Sequence, residues 1–348
     1  MSVGQKHKIN EYLNALRREA RQYTGMSVDT VYFGGGTPAL LDERQLETLF
    51  KIVSENFHLN ENCEMTVEAN PEGLDALKAK RLKLLGVSRI SLGIQSLNDR
   101  YLKYLGRCHD SRLALHAFDY LRSAGFNNIN LDLMYSFPGQ STAEIKKDVE
   151  EIIDLGSEHL SLYALTIEPN SKFYVRDVKL DDDHRRADDY AMIVDLLQNP
   201  SAGFRQYEVS NFAKPGYESR HNLSYWQGKN YIGLGIGAHS HIDGRRFWNT
   251  PRLQEYLLKM PQGMDIVEDR EELSASQRLM EAVLIGLRMN RGVNLREMEE
   301  RFGCGILPQK YETIISFVKE GFLNREGDIL SVTQKGRLVL EELSARLI

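Results

Sequence analysis

Three stretches of this 348-residue chain bring together side chains able to do chemistry. In the first, the apolar run from Val31 to Phe33 feeds into Gly34-Gly35-Gly36-Thr37-Pro38. That pattern predicts a buried strand ending in a turn where the backbone itself approaches a bound group, because glycine lacks a Cβ and tolerates positive φ. Glu68, Gln95 and Asp132 fall at the ends of later apolar runs, and Arg107 follows Leu105-Gly106. Taken singly, each reads equally well as a strand cap or a surface ion pair. The second stretch is His221-Asn222-Leu223-Ser224-Tyr225-Trp226, which sets an imidazole, a phenol and an indole within six residues. It reads either as a ligating ring with flat aromatic cover or as a turn in which Trp226 packs in a core. The third runs from Tyr231 through Gly233, Gly235 and Gly237 to Ala238 and His239. A dinucleotide fingerprint needs Gly-x-Gly-x-x-Gly between a strand and a helix, and this spacing offers neither. His239 and His241 alternate as on a strand, but a metal pair there lacks a third ligand.

The elements that must position these groups are legible as a repeat. Strand-like runs at 30–33, 65–68, 89–93, 129–134 and 159–165 alternate with helix-like segments at 43–56, 74–85, 111–124 and 142–155. Ser141 with Glu144 forms a capping-box pattern, and Gly156 ends that helix. Alternation of this kind predicts parallel βαβ units, and near-continuous apolar strands suit a sheet covered on both faces. In barrels of this type the functional groups gather at the C-terminal ends of the strands. Residues 12–21 read as a first helix, and a further one covers 184–198. From 273 onwards, helices at 277–289, 295–302 and 308–320 precede a small hairpin, a winged-helix-like pattern.

A net charge of −5 and a pI near 6.0 disfavour a general nucleic-acid binder. No apolar run nears the roughly 20 residues that span a bilayer, and the polar N-terminus carries no signal-peptide core, so a cytoplasmic location is expected. Cys63, Cys108 and Cys304 are odd in number and far apart, which disfavours a disulfide framework.

In order along the chain, Gly34 to Pro38, Val67-Glu68-Ala69-Asn70-Pro71, Ser91-Leu92-Gly93-Ile94-Gln95-Ser96, Leu105-Gly106-Arg107, and Asp132-Leu133-Met134-Tyr135 with Pro138-Gly139-Gln140 resemble the radical S-adenosylmethionine (SAM) family of oxygen-independent coproporphyrinogen III oxidases. Most closely they resemble its haem-chaperone branch, the HemW type, whose His-Asn-x-x-Tyr-Trp signature is matched by His221 to Trp226. The resemblance covers almost the whole chain. It implies an α/β fold: a partial (β/α)6 radical-SAM-type barrel with its first strand missing, plus a small α+β winged-helix-like C-terminal domain. The expected division is 1–169 for the partial barrel, 170–272 for a connecting region with the haem-associated motif, and 273–348 for the C-terminal domain. The family's Cys-x3-Cys-x2-Cys loop, which ligates a 4Fe-4S cluster, has no counterpart here. Met1-Ser2-Val3-Gly4 stands about where that loop ends, and three scattered cysteines do not replace it, since such a cluster takes several thiolates from one chain. The chain is therefore expected to hold no cluster, to do no radical chemistry as given, and to leave strand 30–33 an open edge.

The resemblance also implies site residues. Gly35, Gly36, Thr37, Glu68, Gln95, Arg107 and Asp132 match positions that hold SAM, with Ala238 and His239 beside them. A zwitterionic, adenosine-bearing ligand needs acceptors for its ammonium, a cation for its carboxylate and partners for its ribose, which these residues supply. Haem needs an axial ligand and flat aromatic surface, which His221, Tyr225 and Trp226 offer. Ser136-Phe137 departs from the family's usual Gly-Leu. The expected function is a haem chaperone that binds haem and SAM and delivers haem to a client protein. The alternatives are coproporphyrinogen III oxidation and a winged-helix binding role.

Overall fold

Each expected βα repeat forms, and the strands assemble into one sheet. The computed structural model describes residues 8–169 and 171–347; the expected loop remnant at residues 1–4 lies outside them. The strands are β1 (Ser27–Phe33), β2 (His58–Ala69), β3 (Arg89–Gln95), β4 (Ile129–Tyr135), β5 (His159–Ala164), β6 (Arg205–Glu208) and β7 (Asn211–Ala213), in the spatial order β1-β2-β3-β4-β5-β7-β6. β2 to β5 run parallel. The pair β7 and β6, which the sequence reading does not separate from loop, closes the far side antiparallel. Helices Glu43–Asn56, Ala76–Leu84, Ser111–Ser123 and Thr142–Leu155 supply the crossovers. The last of these has the reciprocal Ser141–Glu144 capping box and stops at left-handed Gly156.

One expectation needs correcting. The strands are not near-continuously apolar: polarity alternates along them, and both faces are buried. Ile90, Leu92, Ile129, Leu131, Leu160 and Leu162 lie on one face, while Arg89, Ser91, Gln95, Asn130, His159 and Ser161 are buried on the other. The pleat turns every second residue to the same side, so the helices cover an apolar surface and the concave interior is polar. Buried polar groups need partners, and Ser91, Asn130, His159 and Ser161 have them. His159 Nδ1 donates to Asn130 Oδ1 at 2.5 Å and its Nε2 accepts from Tyr207 at 2.8 Å. Asn130 Nδ2 reaches Ser91 and Asp132, both at 2.7 Å. Burial holds the His159 imidazole well below its ordinary range, hence neutral.

The chain divides into two compact units that interleave rather than follow one another. One is Val31–Glu43 with Glu64–Glu218; the other is Met1–Thr30, Arg44–Cys63 and Ser219–Ile348. In the second unit, β8 (His239–Ile242), β9 (Arg245–Asn249) and β10 (Val267–Glu272) form an antiparallel sheet. Helix Ile9–Ala20 packs within this unit, with Leu13 and Leu16 against Ile52 and Ala15 against Tyr256 and Met260. Beyond residue 273, helix Ala275–Gly286, strand β11 (Val293–Asn294), helices Leu295–Phe302 and Pro308–Lys319, and strands β12 (Leu323–Glu326) and β13 (Ile329–Val332) follow in the helix–strand–helix–helix–hairpin order of a winged helix. Among the described residues no helix is long and apolar enough to cross a membrane.

The Ser136 departure has a structural cost. Ser136 follows β4 with φ of 59°, is buried, and its hydroxyl has no hydrogen-bond partner among the described residues. A left-handed conformation costs an L-residue roughly 1–2 kcal/mol, partly offset by glycine's larger entropy loss on folding, roughly 0.5–1 kcal/mol. Ser136→Gly is therefore expected to stabilise the protein by about 0.5–1 kcal/mol in urea unfolding; a lowered midpoint would show that the turn is not strained.

Candidate functional site

The ends of β1 to β4 surround a cavity of about 400 Å³ lined by Gly36, Thr37, Glu68, Ala69, Asn70, Ser91, Gly93, Gln95, Arg107 and Asp132. Each polar lining group is set by the local fold. Thr37 precedes the turn Pro38–Leu40, and its hydroxyl accepts from Asn70 Nδ2 at 3.0 Å. Glu68, one residue from the end of β2, accepts from the Tyr32 hydroxyl at 2.8 Å and from the Gly35 N–H. Asp132, on the inner face of β4, accepts from Asn130 and from Ser91, the latter at 3.3 Å. Gln95 ends β3 with φ of 66°, an uncommon conformation for a residue other than glycine. Gly93 leaves the space: a Cβ there would lie 2.9 Å from both Asn70 Oδ1 and Gln95 Nε2. Arg107, between helices Asp99–Leu105 and Ser111–Ser123, is half-buried; its backbone N–H donates to Leu102 O at 2.9 Å, while its guanidinium makes no hydrogen bond or ion pair among the described residues.

Charge in the cavity is set by burial. Desolvation raises both the Glu68 and Asp132 carboxyls above the ordinary carboxylate range, and Asp132 raises Glu68 further. Hydrogen bonds from Tyr32 and Asn130 oppose this without reversing it.

Of the residues expected around SAM, six line this one cavity: Gly36, Thr37, Glu68, Gln95, Arg107 and Asp132. Gly35 stands one residue away and bonds to Glu68. Ala238 and His239 belong to the other unit and are not among the lining residues. His239 begins β8, exposed and stacked on Trp248 with ring centroids 5.4 Å apart. Ser91 and Gly93, which a sequence motif includes without assigning them to the site, line it as well. The signal that finds them is the polar alternation in Arg89-Ile90-Ser91-Leu92-Gly93.

The second constellation folds as a helix, Arg220–Trp226, capped by Ser219, whose Oγ accepts from Asn222 N at 3.2 Å. Residues four apart share a helix face, so His221 and Tyr225 meet edge-on with centroids 4.9 Å apart. Both imidazole nitrogens are engaged: Nδ1 lies 2.8 Å from Thr30 Oγ1 and Nε2 lies 3.1 Å from the Tyr225 hydroxyl. The row of rings continues from Tyr225 to Tyr231 at 4.7 Å and on to His241 at 6.0 Å. Tyr231 and His241 were not expected to join it; the backbone bridge between them brings them in. Trp226 leaves the row. It is half-buried, lies under the Arg288 guanidinium at 4.7 Å, and its Nε1 has no partner among the described residues.

The glycines of residues 233–237 serve packing. Gly235, with φ of 100°, donates to Glu19 at 2.8 Å, and a Cβ there would strike the Tyr12 hydroxyl. No group of three or more His, Cys, Asp or Glu side chains among the described residues converges to hold a metal ion. Cys63, Cys108 and Cys304 are separate free thiols. The described residues therefore do not supply a ligand set for an iron–sulfur cluster.

Comparison with known proteins places the chain in a family. The Radical SAM superfamily model matches residues 4–152, and the HemN C-terminal domain model matches residues 273–339. The heme chaperone HemW of Lactococcus lactis is 36% identical over 332 residues, covering 94% of this chain and 86% of that protein. Heme chaperone HemW of Escherichia coli is 35% identical, covering 96% and 88%, and that of Bacillus subtilis 33%, covering 97% and 91%. The solved coproporphyrinogen III oxidase HemN from Escherichia coli, a radical SAM enzyme, superposes with a TM-score of 0.86 at 22% identity, covering 100% of this chain and 85% of that one, a likeness of fold. The chain belongs to the HemW family of heme chaperones within the radical SAM superfamily.

Proposed function

We propose that this chain is a haem carrier that binds SAM in the cavity at the strand ends, holds haem against the ring row beginning at His221, and passes it to a client haem protein. The observation that carries the haem reading is that row, His221–Tyr225–Tyr231–His241, in contact ring by ring. Flat aromatic surface covers a macrocycle, and an imidazole or phenol ligates its iron. Ligation through His221 Nε2 requires the Tyr225 hydroxyl to turn away, which exchanges one hydrogen bond at about 1 kcal/mol.

The cavity fits SAM by charge and space. SAM carries a sulfonium, an ammonium and a carboxylate, a net charge of +1. Glu68 and Asp132 against Arg107 give the complementary balance when ionised. Arg107 takes the carboxylate, Glu68 and Asp132 take the ammonium and the ribose hydroxyls, and Gly93 keeps the floor open. SAM supplies a sulfonium centre when bound; this chain's residues orient it and shield it from water.

Haem titration tests the carrier reading. The parent is expected to give a Soret shift, and His221→Ala is expected to bind haem at least tenfold more weakly, about 1.4 kcal/mol. If variant and parent titrate alike, the His221–Tyr225 pair is a structural contact and not the haem face.

A further inference from the structure

We propose that His109 is held as a doubly donating imidazolium that clamps the rim of the cavity and so positions Arg107 for the ligand's carboxylate. The proposal rests on the SAM reading of the cavity.

The side chain of His109 is fully buried, and its ring lies between two groups that only accept hydrogen bonds. Nδ1 is 3.0 Å from Glu72 Oε2, and Nε2 is 3.2 Å from the carbonyl oxygen of Ile94. A neutral imidazole has one donor and one acceptor; only the protonated ring donates from both nitrogens. A carboxylate and a carbonyl on opposite sides therefore select the protonated form. The same contact pulls the Glu72 carboxyl below its ordinary range, as a charge-assisted bond does. The Arg107 guanidinium acts on the Glu72 carboxyl in the same direction.

What the clamp joins gives it a role. Glu72 lies in the turn Pro71–Gly73, directly after the cavity residues Ala69 and Asn70 at the end of β2. Ile94 precedes Gln95, and its carbonyl also accepts from Ser96 N at 2.9 Å across the left-handed turn that ends β3. His109 thus ties two strand ends together. It also ends the three-residue link Arg107-Cys108-His109. That link is fixed at its start by left-handed Gly106 and at its far side by Asp110, which caps helix Ser111–Ser123 through Leu113 N at 2.8 Å. Nothing else in the link is buried, so the imidazolium is the anchor that sets where the half-buried Arg107 guanidinium stands.

Ring nitrogen NMR on 15N-histidine-labelled full chain at pH 7 reads the first half. Two protonated nitrogens are expected for His109; a bare-nitrogen resonance overturns the proposal. SAM calorimetry reads the second. His109→Gln, which cannot carry charge, is expected to bind SAM at least tenfold more weakly. Equal affinity overturns the positioning role. If the parent binds no SAM, the cavity reading fails, and His109 is judged by amide exchange. Faster exchange at Ser96 and Arg107 in the variant sustains the clamp, and unchanged exchange refutes it. Should His109→Gln not fold, Glu72→Gln at the partly exposed rim carries the same measurements.

Discussion

Glu19→Ala is expected to destabilise the unit containing residues 219–348 by about 3 kcal/mol. Glu19 is 2% exposed in helix Ile9–Ala20. Its carboxylate accepts from Gly235 N at 2.8 Å, Asn249 Nδ2 at 2.6 Å and the Tyr256 hydroxyl at 2.5 Å. Removing it orphans three buried donors, each worth about 1–3 kcal/mol, less the desolvation cost of the lost charge. The variant's thermal midpoint should fall by several degrees; a parental midpoint would mean that these donors find other partners. The pH dependence has a definite sign. Burial raises the Glu19 carboxyl above its ordinary value, outweighing the three hydrogen bonds. Between the ordinary and the raised values the folded protein holds a proton that the unfolded chain has released. Stability from this group is thus fully present below the ordinary carboxylate value and is lost as pH rises through the raised one. Glu19→Gln removes that slope.

The largest effect on ligand binding is expected from Gly93→Val. Even a Cβ at this position meets Asn70 and Gln95 at 2.9 Å, and two further methyl groups fill the floor of the cavity. SAM affinity measured by calorimetry should fall about a hundredfold, about 2.8 kcal/mol. Overpacking elsewhere costs roughly 1–3 kcal/mol of stability, so a circular dichroism melt accompanies the titration. Unchanged SAM affinity in a folded variant would place the SAM site outside this cavity.

The parallel core was legible because each strand and helix carries its own periodicity: helices Glu43–Asn56 and Thr142–Leu155 stand where the apolar pattern puts them. The polar interior was encoded too, in Asn130-Leu131-Asp132 and His159-Leu160-Ser161, but an average over such strands reads as apolar. Strands β6 to β10 are short and carry Arg, Glu, Gln and His. Their pairing is decided by partners distant in sequence, so local propensity has little to say about them. The same holds for the site. The triple glycine announces a backbone approach, whereas the join from Tyr225 to Tyr231 and His241 depends on a bridge between a loop and a strand. Gly235 suggests a cofactor loop until Glu19 and Tyr12 are seen against it.

The interleaving of the two units bears on how the chain is made. Glu19 and Tyr256 are 237 positions apart, and translation adds roughly 5–20 residues per second. Helix Ile9–Ala20 therefore leaves the ribosome roughly 10–50 s before its partners exist. Throughout that interval Leu13, Ala15 and Leu16 have no native surface to bury against from residues 234–266, while residues 64–218 emerge as one continuous stretch of the other unit. A nascent-chain holdase should therefore engage helix Ile9–Ala20 and release it only after residue 260 or so has cleared the exit tunnel.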